Sequence, residues 1–399
     1  MLGRLAFTLT LAFAAASVAE PLALCDSTSK GFTPLTDLGT GTYLGEQGGL
    51  YPGGSNTPPM AHFAAGMAFA RGINGLSDEG GGVIISIGMS NTTQEFSRFA
   101  QLVAADMQWP PSVRVIDCAQ GGQHAAIAAD PNSAYWTTVM TRLQMAGVDP
   151  EEVNVAWVKE AVAGPTLPFP QDAQQLQGYL RAIAQNLHDK FPNLTLAYFS
   201  SRIYAGYAST NLNPEPYAYQ SGFAVKWLIE EQINGSPALN YDRRAGPVES
   251  PWLAWGPYLW ADGLIPRSDG LIWECSDFQP DGTHPSTSGR EKVAQMLLSF
   301  FHTEPTVVQW NHFPPIDVVD LPRSRPLVVW PNPMREYATV RAPAGAAIAI
   351  HDVAGRLVRL LPANGFGGWD RRDATGQRVG PGTYILRAGA HTSKLTVVR

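Results

Sequence analysis

Three cysteines in 399 residues are too few to build a fold on disulfides, so a hydrophobic core must hold this chain together. Basic residues are also sparse. Lys and Arg total 28 against 34 Asp and Glu, the net charge is -6, and no dense Lys/Arg cluster occurs. The electrostatic footprint of a phosphate backbone is missing, which excludes nucleic acid as a partner. The eight His are scattered, with no metal-ligand spacing such as His-Glu-x-x-His. No metal is therefore expected from the spacing. Beyond the first residues no segment is long and apolar enough to span a bilayer. There are no long internal repeats.

What is present suits an exported, multidomain protein. Apolar residues make up 45% of the chain, enough for a sizeable core and more than one domain. Arg4 gives a short positive start, and Leu5 to Val18 form an apolar stretch too short to span a bilayer. Ser17-Val18-Ala19 offers small residues for a signal peptidase, so residues 1–19 are expected to be a signal peptide. Lipidation at Cys25 fits less well, because Leu24 is large for the position before it. The localisation expected is secreted or cell-surface, in a bacterium.

Residues 20–80 are rich in Gly, Pro, Thr and Ser and read as an irregular lead-in packed on the catalytic domain, with one helix over Ala61 to Ala70. The pattern changes near residue 81. Strands are expected at Val83–Ile87, Val113–Asp117, Val153–Val158 and Leu194–Phe199. Helices are expected at Thr93–Met107, Tyr135–Ala146, Asp172–Lys190, Tyr217–Ile233 and Ser288–His302. Short apolar strands alternating with longer helices predict an α/β fold, a doubly wound parallel sheet, over residues 81–303. In such sheets the ligand loops sit at the carboxyl ends of the strands, which puts Ser90, Gly121-Gly122 and Lys159-Glu160 on one rim. Prolines at 305, 314, 315, 322 and 326 mark a linker over 304–325. Residues 326–399 alternate short strands with turns and predict a small β-sandwich.

Ser90 follows the first strand, where a helix begins. A lone serine is a weak nucleophile and needs a base beside it. As a plain helix N-cap it would need nothing more. Asn91-Thr92-Thr93 also matches an N-glycosylation acceptor. Asp281-Gly282-Thr283-His284-Pro285 places a carboxylate and an imidazole on one loop before the last helix. There His284 can face the serine while Asp281 fixes its tautomer. Taken alone, Asp-Gly and His-Pro are ordinary turn dipeptides.

With these blocks the chain resembles the SGNH, or GDSL-like, hydrolases over roughly residues 80–302. Gly88-Met89-Ser90-Asn91 matches the block that supplies the nucleophile, in the Ser-Asn form of the carbohydrate-esterase branch. Gly121 or Gly122, in Asp117-Cys118-Ala119-Gln120-Gly121-Gly122, resembles the block whose glycine gives an oxyanion N–H. Asp281 and His284 match the block of acid and base. The resemblance implies a flavodoxin-like sheet and ester hydrolysis through an acyl-enzyme that needs no metal or organic cofactor, with the N–H groups of Ser90 and Gly121 or Gly122 holding the oxyanion.

The family's third block carries an Asn. In Val155-Ala156-Trp157-Val158-Lys159-Glu160 no Asn stands there, so either Lys159 or another donor substitutes, the Asn comes from elsewhere, or the activity is slow. Lys159 as a surface residue or as a partner of Glu160 is the alternative. Asn91, His124, Lys159 and Tyr204 are the candidate substrate contacts, His124 with a structural role as the alternative. Trp252, Trp255, Tyr258 and Trp260 suit a sugar face, an aromatic acyl group or core packing. Cys118 and Cys275 flank the loops of the site and are the expected disulfide, the alternative being three buried thiols.

The tail resembles the C-terminal sorting domains of exported bacterial proteins and the Ig-like domain of flagellar hook-capping proteins. The matching residues are Pro331-Asn332-Pro333, Asp352-Val353-Ala354-Gly355-Arg356, Trp369-Asp370, Asp373-Ala374-Thr375-Gly376 and Gly382-Thr383-Tyr384. This implies secretion machinery or the cell surface as a partner. The expected function is a secreted serine esterase whose partner is an ester substrate, an acylated polysaccharide above all. A lipase- or polyester-type hydrolase and a non-catalytic surface binder are the alternatives.

Overall fold

The apolar runs between residues 82 and 255 pair into one five-stranded parallel sheet. Its strands are β1 (Gly82–Gly88), β2 (Val113–Ile116), β3 (Val153–Lys159), β4 (Leu196–Phe199) and β5 (Trp252–Trp255), in the spatial order β2-β1-β3-β4-β5. The structure is a computed structural model that describes residues 23–73, 82–308, 327–342, 347–361, 366–389 and 391–399. The expected signal peptide and residues 309–325 of the expected linker lie outside the described residues.

All seven residues of β3 are buried, as are six of the seven in β1. Strands covered on both faces have no solvent side to keep polar, so they read as mostly apolar runs, with Ser86, Asn154 and Lys159 as the buried polar exceptions. Ile85 stands beside Ile116 on one side and Ala156 on the other. The chain leaves β1 toward β2 and returns on its far side as β3. That reversal opens a crevice at the carboxyl ends of these three strands.

Six longer helices accompany the sheet: α1 (Met60–Ile73), α2 (Ser90–Ala105), α3 (Ala134–Met145), α4 (Gln171–Lys190), α5 (Tyr217–Ile233) and α6 (Thr287–Thr303). α2 starts at Ser90 itself, three residues before the expected Thr93. α2 and α6 pack side by side, with the rings of Phe99 and Phe301 stacked at 5.3 Å. Ser286 caps α6 by accepting the Gly289 N–H.

Two expectations are corrected here, and one open alternative is decided. The aromatic segment, which suited a sugar face or core packing, is β5 and the loop after it, and it packs in the core. Trp252, Trp255, Tyr258 and Trp260 are all buried. Their indoles are spent inside, Trp252 on the His62 carbonyl, Trp255 on the Leu50 carbonyl and Trp260 on Glu215. Cys275 pairs with Cys25 rather than Cys118, at a Cα separation of 5.3 Å. Cys118 is a free, fully buried thiol, its sulfur enclosed by the core, and burial pushes it up to about 12. Finally, Pro305–Val308 is a helical turn and not linker, with Thr306 and Val307 buried and the Thr306 hydroxyl 2.8 Å from that of Tyr198.

The disulfide belongs to a strap formed by residues 23–34. Leu24 donates its N–H to Tyr207, Leu264 donates to Thr28, and Tyr219 donates its hydroxyl to Thr33. Asp262 collects Ser29 Oγ and the amides of Lys30 and Gly31.

The chain divides into units at residues 1–314 and 315–399. The second unit contains two antiparallel sheets. One has the order β9-β8-β11-β12, from Leu357–Leu361, Ile348–Asp352, Gly382–Ala388 and His391–Val397. The other has the order β10-β7-β6, from Phe366–Trp369, Ala338–Arg341 and Val328–Trp330. Val340 and Trp369 of the smaller sheet share one core with Ile350, Leu386 and Leu395 of the larger.

Candidate active site

Two glycines allow the site to assemble. Gly88 ends β1 beside Lys159 of β3. A methyl group there would overlap the Thr92 hydroxyl and the Lys159 carbonyl. Its N–H is accepted by the Tyr135 hydroxyl at 2.9 Å and its carbonyl takes the Gln120 N–H at 2.9 Å. The strand end is thus fixed from both sides, and Ser90 follows it as the first residue of α2. Gly282 turns the Asp281–His284 loop with φ of +63°, pressed against the Tyr207 backbone where any side chain would collide.

The two loops meet. Ser90 Oγ lies 2.8 Å from His284 Nε2, and His284 Nδ1 lies 2.5 Å from Asp281 Oδ2. Asp281 Oδ1 accepts the amides of Thr283 and His284 at 2.9 and 3.0 Å. Burial pushes the Asp281 carboxyl up, but the bonds from His284 and Thr283 outweigh it and hold the group below the usual carboxylate range. His284 and Asp281 keep about a fifth of their side-chain surface open, 21% and 19%. A molecule from solvent can therefore reach them.

Gly121 comes next to the serine, a methyl group built on it falling 3.9 Å from Ser90 Cβ. Gly122 adopts φ of +75° and is exposed. The amides of Gly121 and Gly122 take no acceptor from the described residues, while those of Gln120 and Gln123 do. The Ser90 amide belongs to the first helical turn, whose N–H groups lack intrahelical partners.

Three of the expected substrate contacts are closed off. Lys159 is fully buried and ion-paired with Glu95 of α2. Burial, against that pairing, lowers its ammonium to about 8. Tyr204 is buried and donates to the Ser27 carbonyl at 2.7 Å, as part of the strap. Asn91 is buried and gives its amide to the Thr283 carbonyl at 3.0 Å. It acts between α2 and the His284 loop instead of on a ligand. His124 is half-buried ahead of the short helix Ala125–Ala129, its Nδ1 without a partner among the described residues.

Sequence reasoning missed the polar structure beneath this rim. Asp117 accepts the hydroxyls of Ser86 at 2.6 Å, Thr93 at 2.5 Å and Ser97 at 2.7 Å, which ties β1, α2 and the Gly121 loop together. Glu160, next after β3, is buried with Oε1 unpartnered among the described residues. Burial holds it well above the usual range, against the Ala161 amide and the Arg202 charge. Arg202 is buried as well, its Nε and one Nη unpartnered among the described residues. The one sequence signal was position, since Lys159 ends β3, Glu160 follows it, and Arg202 comes three residues after β4.

No family model and no curated protein matches the chain. Similar solved structures include a surface component of the type-IX secretion system of Porphyromonas gingivalis, at 26% identity over 18% of this chain, with a TM-score of 0.17. The chain spans 11% of that protein. A carbohydrate acetylesterase from Xanthomonas citri is 12% identical over 79% of each chain, with a TM-score of 0.29. The periplasmic domain of a lipopolysaccharide acetyltransferase from Salmonella ser. Paratyphi A is 13% identical over 61% of this chain and 95% of its own, with a TM-score of 0.31. Likenesses of this size carry no argument about activity, which rests on the geometry of the site.

Proposed function

We propose that the chain is a serine esterase of the SGNH type that removes acyl groups from carbohydrate. One observation carries the reading: Ser90 Oγ, His284 and Asp281 stand in hydrogen-bonded series at 2.8 and 2.5 Å on the rim where the strand order reverses. His284 Nε2 takes the Ser90 proton as Oγ attacks the ester carbonyl. The negative charge that develops on the carbonyl oxygen meets the free amides of Gly121 or Gly122 and the first turn of α2. The alkoxide leaves with the proton from His284, giving the acyl-enzyme and an alcohol. Water, losing a proton to the same imidazole, then releases the acid and restores Ser90. Asp281 keeps Nδ1 protonated and Nε2 free to accept.

Lys159 is no oxyanion donor in this scheme, because its ammonium is committed to Glu95. The expected Asn is replaced by no residue we assign. Export through residues 1–19, and attachment or sorting through residues 326–399, complete the proposal. Among the described residues no helix is long and apolar enough to cross a membrane.

The test is hydrolysis of 4-nitrophenyl acetate, together with labelling by a fluorophosphonate mapped by mass spectrometry. Turnover is expected in the wild type and not in Ser90→Ala, with the label on the peptide holding Ser90. Equal turnover by both proteins, or a label elsewhere, overturns the reading.

A further inference from the structure

Ser90, Thr93, Gln94, Ser97, Arg98 and Gln101 recur along α2 at spacings of three and four residues. They therefore form one stripe on the helix that begins at the reactive hydroxyl. The first turn of α6 opens three residues after His284 and faces the stripe with Thr287, Ser288, Arg290 and Glu291. Between the two helices runs an open groove of about 790 Å³. Pockets for small molecules have roughly 300–1,000 Å³ and are lined mostly by apolar side chains. This groove matches them in size and differs in its residues, all of them polar or charged, whose aliphatic stems still supply the larger part of its surface.

Its polar groups are already held in place. Thr93 and Ser97 give their hydroxyl protons to Asp117 and keep their lone pairs as acceptors. Arg98 reaches across the helices to Glu291 at 2.5 Å and along its own helix to Gln101 at 2.9 Å. The pairing of Arg98 with Glu291 also cancels their charges. Gln279, on the loop before Asp281, donates to Gln94 at 3.0 Å and to the Pro285 carbonyl at 3.1 Å. That bond joins the upper end of the groove to the loop that carries His284. Side chains fixed in advance lose little freedom when a ligand arrives.

We propose that this groove is the subsite for the alcohol part of the ester and takes a chain of several sugar residues leading away from Ser90. The proposal rests on the esterase reading and names its substrate as an acylated oligo- or polysaccharide. Alternating donors and acceptors suit a ligand with a hydroxyl on nearly every carbon. A long acyl chain finds no apolar side chain here to cover it.

Binding is measured apart from turnover, by calorimetry on the full-length chain with xylohexaose, cellohexaose and chitohexaose as probes. At least one probe is expected to bind. Ser97→Trp and Gln101→Trp, each filling the groove from an exposed position, are expected to weaken binding by about tenfold or more. Thr137→Trp, exposed on α3 and outside the groove, should leave binding unchanged. In parallel, kcat/KM on acetylated xylo-oligosaccharides should rise with chain length in the wild type and flatten in both groove variants. Binding by none of the probes, or equal binding by wild type and both folded groove variants, overturns the subsite. Hydrolysis without length dependence would overturn the subsite and leave the esterase standing. Binding without any ester hydrolysis would remove the esterase reading and leave the groove.

Discussion

At the scale of single residues, the site separates groups that do chemistry from groups that hold them. Asp281 is a holder: its two oxygens accept from Thr283, the His284 backbone and the His284 ring. Asp281→Asn keeps the shape of the group but turns the imidazole toward the wrong tautomer. The expected loss is about 10³–10⁴ in kcat with little change in KM for a short ester. A loss under tenfold, measured by steady-state kinetics, would show that Asp281 does not orient the base.

Asp172 supplies a pH prediction. It is buried at the start of α4 with Oδ1 unpartnered among the described residues, and burial pushes it up to about 6 from an ordinary 3.8. The native state therefore holds this proton more tightly than the unfolded chain. The resulting stabilisation is complete below pH 3.8 and is lost as pH rises through about 6. Asp172→Asn should raise Tm at pH 8 by a few degrees and make no difference near pH 3.5. Melting curves of the two proteins that stay parallel from pH 3.5 to 8 would contradict this.

At the scale of elements, the outcome depended on what the pattern could carry. β1, β3 and α2 were legible because burial on both faces, or on one stripe, leaves a periodic trace. The serine and the Asp-x-x-His loop were legible because each lies at an element boundary. β5 was not, because four aromatic residues in nine suit a ligand as well as a core. Only the indole partners Leu50 and His62, some two hundred residues away, decide it. Lys159 read as accessible for a similar reason, since a charged residue is seldom buried without a partner, and its partner Glu95 is remote in sequence. The cysteine pairing was not legible either. Three thiols allow three bridges, and the choice is made by the strap of residues 23–34, which carries Cys25 to the short helical turn at Cys275.

That bridge closes a separation of 250 residues and ties the strap to the segment just before Asp281. Cys25→Ser is expected to lower stability by about 2–5 kcal/mol. Calorimetry of the wild type with and without reductant should show the same fall, and Cys25→Ser should no longer respond to reductant. Under reducing but native conditions an alkylating agent should reach Cys25 and Cys275, while the buried Cys118 thiol reacts only on unfolding. A wild type whose melting ignores complete reduction would show that the strap is held by its hydrogen bonds alone.

At the scale of the whole molecule, the described residues build two large cores, one in each unit, that divide the labour. The first unit has one continuous cluster from Leu35 to Val307, and Ser90, Asp281, His284, Gly121 and the groove all lie in it. The second has its own cluster around Trp369, Ile350 and Leu386, drawn from both of its sheets. A unit with its own core is the kind that folds by itself. Every group the proposed chemistry uses is thus present in residues 1–314. A chain ending at residue 314 should hydrolyse 4-nitrophenyl acetate with the kcat/KM of the full-length protein, and should melt in one cooperative transition. The matching piece, residues 315–399, should fold and show no hydrolysis. The decisive outcome is a shortened chain that still melts cooperatively but has lost activity. It would mean that the second unit contributes to the reaction, and that the triad on the sheet rim is not sufficient for it.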